Sequence, residues 1–470
     1  MKSKLFQPTL LALLVAAGLA GCATTPPPTF ELPAHQTDKA PAELADWWKR
    51  FEDPTLNALV DEALAHNADI MTALQDVNQS QSVLSQARIA LLPDVDLNLN
   101  GTRRNPSDVT SQPGQGGTTT VYKGGVAISY EVDLWGRVWK AKDAALANLL
   151  ASQYARETTR AAVAAQTAKS YFSLLALDAD EALLTQTLAT RNEALALQQK
   201  RYKAGASGDY ELKLAEVEQA AVAASLPRTV AAREQAEAAL AVLLGRTPKE
   251  VVDGHVSRGA GLAELAKAQE IPPGLPADLL TRRPDVRRAE AQLAVAEASL
   301  SETKRRYFPT FSLTGFLGGE STSLGSLFNA PAKTWSLGAA LAQPIVGLAR
   351  IGAQVDSAKA SRDQAEIAYA QAARAAYGDA RSALAGHRAA RDALIATQLR
   401  ADSQSRVKEL TEKRYQAGVN SYLDLLNAER DRLSAERDRV SALEQRLDSL
   451  VTVYQALGGG WSSDNLVKAD

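Results

Sequence analysis

The chain has 470 residues with 52 Lys and Arg against 54 Asp and Glu, so neither sign dominates and nothing supports nucleic acid as a partner, which needs clustered basic charge. Cys22 is its single cysteine, which excludes a disulfide within the chain. Alanine is abundant, aromatics are only 6%, and no apolar stretch beyond the first twenty-odd residues approaches the length of a membrane helix. Long helices are the natural use of such a composition.

In chain order, Lys2 and Lys4 precede an apolar run from Leu10 to Ala17 and then Leu19-Ala20-Gly21-Cys22, the layout of a bacterial signal peptide. Cys22 stands where a lipoprotein signal resembling Leu-Ala-Gly-Cys places its lipidated residue. Ala23 follows in place of the aspartate that, in the lipoproteins this resembles, holds the product at the inner membrane, so outer-membrane sorting is the expectation.

The rest reads as one unit written twice, at a spacing of about 213 residues. Lys200-Arg201-Tyr202-Lys203-Ala204-Gly205 matches Lys413-Arg414-Tyr415-Gln416-Ala417-Gly418, and the register persists to Leu244-Gly245 and Leu457-Gly458. Each half predicts helix, strand, loop, strand, very long helix, turn, helix. In the first, Val95, Leu97 and Leu99 alternate with Asp94, Asp96, Asn98 and Asn100, and Val126, Ile128, Tyr130 and Val132 alternate likewise, around a polar loop from Asn105 to Thr120. In the second, Phe311 and Leu313 precede a Gly/Ser loop expected from Gly318 to Ser326, then Trp335, Leu337, Ala339 and Leu341. Each strand has roughly the length a tilted membrane β-strand requires.

From about Val138 to Lys203 nothing breaks a helix, which would run on the order of 100 Å. Tyr154, Ala161, Ala168, Leu175, Ala182, Ala189 and Ala196 fall on a seven-residue stripe, and Leu426, Leu433, Val440, Leu447 and Tyr454 form another in the last helix. Polar residues on the remaining faces predict helices that meet water. Four strands cannot close a barrel, and open edges in lipid cost several kcal/mol per unpaired group, so several copies must assemble. Two, three or four would close equally well on this ground.

At the tips and the strand-to-helix junctions the chain resembles the outer-membrane factor (TolC-like) family, in its NodT/OprM-like lipoprotein branch. The resemblance rests on Trp47-Trp48 through Phe51-Glu52-Asp53-Pro54, on Asp133-Leu134-Trp135-Gly136-Arg137, and on Gly274-Leu275-Pro276 with Arg282-Arg283-Pro284-Asp285-Val286. It implies a mainly α protein with a membrane β-barrel: a homotrimeric 12-stranded barrel continued by a periplasmic α-helical barrel. The implied divisions are a signal peptide (1–21), a lipidated segment (22–54), a first efflux repeat (55–245), an equatorial linker (246–275), a second repeat (276–457) and an equatorial tail (458–470).

By the same resemblance the two helical tips, Tyr202, Ala204 and Gly205 with Tyr415, Ala417 and Gly418, form a periplasmic mouth that docks an adaptor (membrane fusion) protein. Behind the adaptor stands an inner-membrane pump of the resistance-nodulation-division type. Tyr415 and Asp424 match gate positions, Asn427 stands where a second aspartate is common, Asn420 where some members carry arginine, and Glu211 at a position acidic in some relatives. Asp424 and Glu211 equally suit a helix amino-terminus. No cofactor is implied. The four histidines His35, His66, His255 and His387 are scattered, and no metal-ligand spacing, nucleophile elbow or phosphate loop occurs, so an enzyme is not expected. The rival reading is a periplasmic coiled-coil adaptor or scaffold lipoprotein. Adaptors carry one helical hairpin within β-rich domains, whereas here two hairpins and two strand pairs recur.

Overall fold

The computed structural model describes residues 45–107, 109, 117–267 and 283–461, with the backbone of 36–37 pairing in parallel with that of 275–276. The signal sequence, Cys22, Arg282, the centre of the 105–120 loop and the tail beyond Trp461 lie outside the described residues.

Each repeat sets one long helix against two shorter ones. In the first, α1 (Pro54–His66) and α2 (Ala68–Ile89) lead to strands β1 (Asp94–Arg104) and β2 (Thr119–Val132), then α3 (Arg137–Lys203) and α4 (Asp209–Leu243). Two short helices, α5 (Pro248–Asp253) and α6 (Leu262–Leu265), follow. The second comprises α7 (Pro284–Arg305), β3 (Thr310–Ser321), β4 (Lys333–Ala342), α8 (Leu348–Gln416) and α9 (Tyr422–Ala456). At 67 and 69 residues, α3 and α8 each run roughly 100 Å.

The returning helix of each repeat ends where the short first helix begins. Asn67 caps α2 by accepting from Asp69 N and Ile70 N, and its Nδ2 donates to Leu243 O at the end of α4. Arg283, just before α7, donates to Ala456 O at the end of α9. Each junction therefore sets orphan amides of one helix beside orphan carbonyls of another. The long helix thus faces two end-to-end half-length partners: α2 and α4 pack on α3, α7 and α9 pack on α8, and α7 and α9 also pack on α3.

The core sits at the waist, where these ends meet. A 3-10 turn, Trp47–Phe51, buries Trp47, Trp48 and Phe51. Trp47 stacks on Tyr454 (centroids 5.5 Å apart, planes at 13°), and Phe51 packs on Phe172 at 5.2 Å. Fully buried Asp53 caps α1 through Thr55 N and accepts from the Tyr171 hydroxyl at 2.9 Å, which itself accepts from Gly259 N at 2.8 Å. Burial raises the pKa of the Tyr171 hydroxyl, so it stays a donor. Arg258 spans Asp178 and Glu237, holding the segment after α5 against both helices of the first hairpin.

Two expectations need correction. The 318–326 loop begins later, because Gly318 and Gly319 extend β3 opposite Gly125 and Gly124. Side chains do not fit there: a Cβ on Gly125 would come 2.6 Å from Gly318 Cα and 2.9 Å from the Phe316 ring lying over the pair. The stripe on α3 is buried through Leu175 but then passes to Leu184, Arg191 and Gln198, leaving Ala182, Ala189 and Ala196 exposed. Through the waist that face of α3 is covered by the 47–53 segment, with Phe51 on Phe172, whereas beyond it α3 lies between α4 and α9; Leu184, nine residues after Leu175, is half a turn around the helix from it. The stripe on α9 is as expected, with Leu426, Leu447 and Tyr454 buried.

Tyr171→Phe removes the donor to Asp53 and the acceptor for Gly259 N at once, leaving Oδ2 of the fully buried Asp53 without its partner. A loss of about 1–3 kcal/mol is expected, read as a lower urea midpoint with unchanged slope.

Candidate functional site

The four strands form one antiparallel sheet in the order β1-β2-β3-β4. Residues directly opposite one another share a face. The row Leu97, Val126, Leu317 and Trp335 and the row Val95, Ile128, Gly315 and Leu337 therefore lie on one side. On the other lie Asp96, Ala127, Phe316 and Ser336, then Asn98, Gly125, Gly318 and Thr334. The apolar side is uncovered: Leu97 is 83% and Leu337 81% exposed. Such a face suits lipid and the opposite one suits water.

The sheet is open at β1 and at β4, since each pairs on one side only. The helices continue the same order. Towards the sheet it is α2, α3, α7, α8, and towards the tips α4, α3, α9, α8, so that α2 and α4 border one edge and α8 the other. Both borders carry uncovered apolar side chains: Met71, Leu74 and Val217 on one, Ile367, Ile395 and Leu399 on the other. Among the described helices none is long and apolar enough to cross a membrane.

Both tips turn in the same way. Gly205 and Gly418 adopt φ of 71° and 74°, where a side chain would be strained. Ala206 N returns to Arg201 O and Val419 N to Arg414 O, both at 2.8 Å, satisfying carbonyls left over at the helix ends. Tyr202 is exposed, while Tyr415 packs against Tyr422 at 5.8 Å and accepts from Arg201 at 2.7 Å, joining the two hairpins. Asp424 closes a capping box with Ser421, accepting from its N (2.9 Å) and Oγ (2.8 Å), and these bonds hold its carboxyl below the ordinary carboxylate range. Asn420 accepts from Arg414 at 2.9 Å. Asp424 and Asn427 are solvent-exposed one turn apart. Glu211 lies in the first turn of α4 and makes no ion pair among the described residues.

A cluster that sequence reasoning missed lies further along the hairpins. Arg191 of α3, 3% exposed, pairs with Glu429 of α9 and approaches Glu218 of α4 at 3.8 Å, while Arg430 of α9 also pairs with Glu218. The available signal was Arg191 itself, which lies seven residues from buried Leu184 and from Gln198 on the interior stripe. Next to this clasp a groove of about 730 Å³ runs between α4 and α9, lined by Leu177, Asp180, Val222, Arg430 and Arg437.

An apolar-faced sheet open at both edges, continued by hairpins open along the same two borders, is one stave group of a membrane-crossing duct. The chain belongs to the outer membrane efflux protein family, whose model matches residues 59–246 and 275–459. It is 32% identical over 465 residues to the outer membrane protein OprJ of Pseudomonas aeruginosa, covering 96% of this chain and 95% of that one. It is 31% identical over 418 residues to the solvent efflux pump outer membrane protein SrpC of Pseudomonas putida, covering 88% and 87%. The crystal structure of the Campylobacter jejuni CmeC outer membrane channel superposes with a TM-score of 0.83 at 26% identity, covering 93% and 95%. The protein is an outer-membrane efflux channel with its helical part in the periplasm.

Arg191→Leu strands Glu429 and leaves Glu218 with Arg430 as its remaining cation. A loss of about 3–5 kcal/mol in the stability of the hairpin pair is expected, checked by thermal unfolding and by faster amide exchange in α9 near Glu429.

Proposed function

We propose that three copies close edge to edge into one passive duct carrying efflux substrates across the outer membrane, without a catalytic step of its own. The observation that carries this reading is the alignment of borders. The free strand β1 lies on the same border as α2 and α4, and the free strand β4 on the same border as α8. The two borders differ, so contact between copies is head to tail and must close as a ring. Three copies give twelve strands, an even number within the range of outer-membrane barrels.

The duct receives its cargo from a periplasmic adaptor and an inner-membrane pump of the resistance-nodulation-division type. The adaptor docks on the tips at Tyr202, Ala204, Gly205, Tyr415, Ala417 and Gly418, and the groove between α4 and α9 offers it an adjoining helical seat. Tyr415, Asn420, Asp424, Asn427 and Glu211 form the gate. Three copies of Asp424 around one axis make a negative constriction that partner contact opens. The division at 245 and 275 separates two repeats by a linker that helps to build the waist. Cys22 carries the lipid that holds the mature amino-terminus at the membrane.

Native mass spectrometry of the detergent-solubilised protein should give the mass of three subunits, and planar bilayers should show a cation-selective pore. The Ser421 bonds favour the charged form of Asp424 within each subunit, so that selectivity should be present at neutral pH and be lost on acidification as the carboxyls take up protons. Asp424→Asn should reduce it at neutral pH; a monomeric mass, or unaltered reversal potentials in the variant, would sink the duct and the gate respectively. Labelled palmitate should enter the wild type and not Cys22→Ala.

A further inference from the structure

The charges on the sheet are divided unevenly between its faces. On the water-facing side Asp94, Asp96, Arg104, Lys123, Glu131 and Glu320 mix both signs. On the apolar side the register leaves only two charged residues, Arg103 of β1 and Lys333 of β4, and both are cations. Both are exposed and form no ion pair among the described residues. They sit at the end of the strands remote from the helices, which is the extracellular end, and no acid shares their face in any strand.

The loop from 322 to 332 folds down onto this same face. Leu327 is fully buried against the backbone of Gly124 and Gly319, next to Lys333 in the row Leu99, Gly124, Gly319 and Lys333. The neighbouring Phe328 is 80% exposed, as is Trp335 at 72%, and Tyr122 flanks Arg103 on the same side. Cations are costly against hydrocarbon and settle at headgroup depth, where aromatic rings also collect. A rim whose described residues carry, on this face, cations without ion pairs, no acids and outward aromatic side chains complements an anionic amphiphile. In the outer leaflet of an outer membrane the amphiphile of that chemistry is the phosphorylated glycolipid.

We propose that this rim is a binding surface for the phosphorylated glycolipid of the outer leaflet, with Arg103 and Lys333 taking its phosphates and Phe328, Trp335 and Leu324 lying against its acyl chains. Because β1 and β4 are the two free edges, ring closure brings the rim of Lys333 in one copy beside that of Arg103 in the next, so the surface falls at the seam between subunits. The inference rests on the duct reading, through the sheet being the lipid-facing wall.

Native mass spectrometry of the delipidated oligomer, titrated with bisphosphorylated lipid A, its dephosphorylated form or phosphatidylglycerol, tests it. Bisphosphorylated lipid A should bind most tightly and survive excess inorganic phosphate. Arg103→Gln with Lys333→Gln should lower that affinity about tenfold or more, at about 1 kcal/mol per cation, while Arg103→Lys with Lys333→Arg retains it. Bilayer conductance should stay unchanged in both variants. Equal binding of the dephosphorylated lipid or of phosphatidylglycerol, displacement by phosphate alone, or full affinity in the glutamine variant would overturn the proposal. A wild-type protein that remained monomeric would show itself in the mass and would remove the barrel, and this surface with it.

Discussion

An unpaired backbone amide in hydrocarbon costs several kcal/mol, and the outer edges of β1 and β4 each present a row of them. No rearrangement within one chain removes this cost, because four strands are too few to curve round and meet. The helices impose the same requirement in water, less severely, through apolar side chains left open on α8 and on α2 and α4. Two solvents with different rules therefore select one solution, which is repetition of the subunit around an axis.

The duplication makes this solution economical. Both halves place a strand pair between a short helix and a long one, and both return along the long helix to meet the start of the short one. The waist, where those ends converge, carries the aromatic cluster of Trp47, Phe51, Phe172 and Tyr454. Packing is dense there and thin elsewhere, as expected for a wall one helix thick. Along the hairpins, ion pairs such as Arg437 with Asp180 and Arg191 with Glu429 take over from apolar contacts.

Much of this was legible in the residues. Alternation in 94–100 and 126–132 identifies strands with two unlike faces, and the matched Tyr-x-Ala-Gly tips identify the turns, because both signals are local. The Gly318–Ser321 extension of β3 was hidden, since glycine reads as loop until the Phe316 ring covering it is seen. The shift of the buried stripe on α3 was hidden for a related reason: burial there depends on which segments lie alongside, and the 47–53 segment and α9 are both far from it in sequence. The clasp at Arg191 shares that cause. The tip residues, by contrast, were named from their positions, and their geometry adds that Asp424 is engaged with Ser421 within its own subunit.

The split staves also have a mechanical consequence. In each repeat the long helix is covalently continuous from strand to tip, whereas the column beside it is interrupted at the waist, where Asn67 meets Leu243 in one repeat and Arg283 meets Ala456 in the other. Torque applied at the far ends of α4 or α9 reaches such a break before it reaches the membrane, and a change of angle there does not have to bend a continuous helix. The lower half of each wall has room to twist like the slats of a blind while the embedded rim keeps its register.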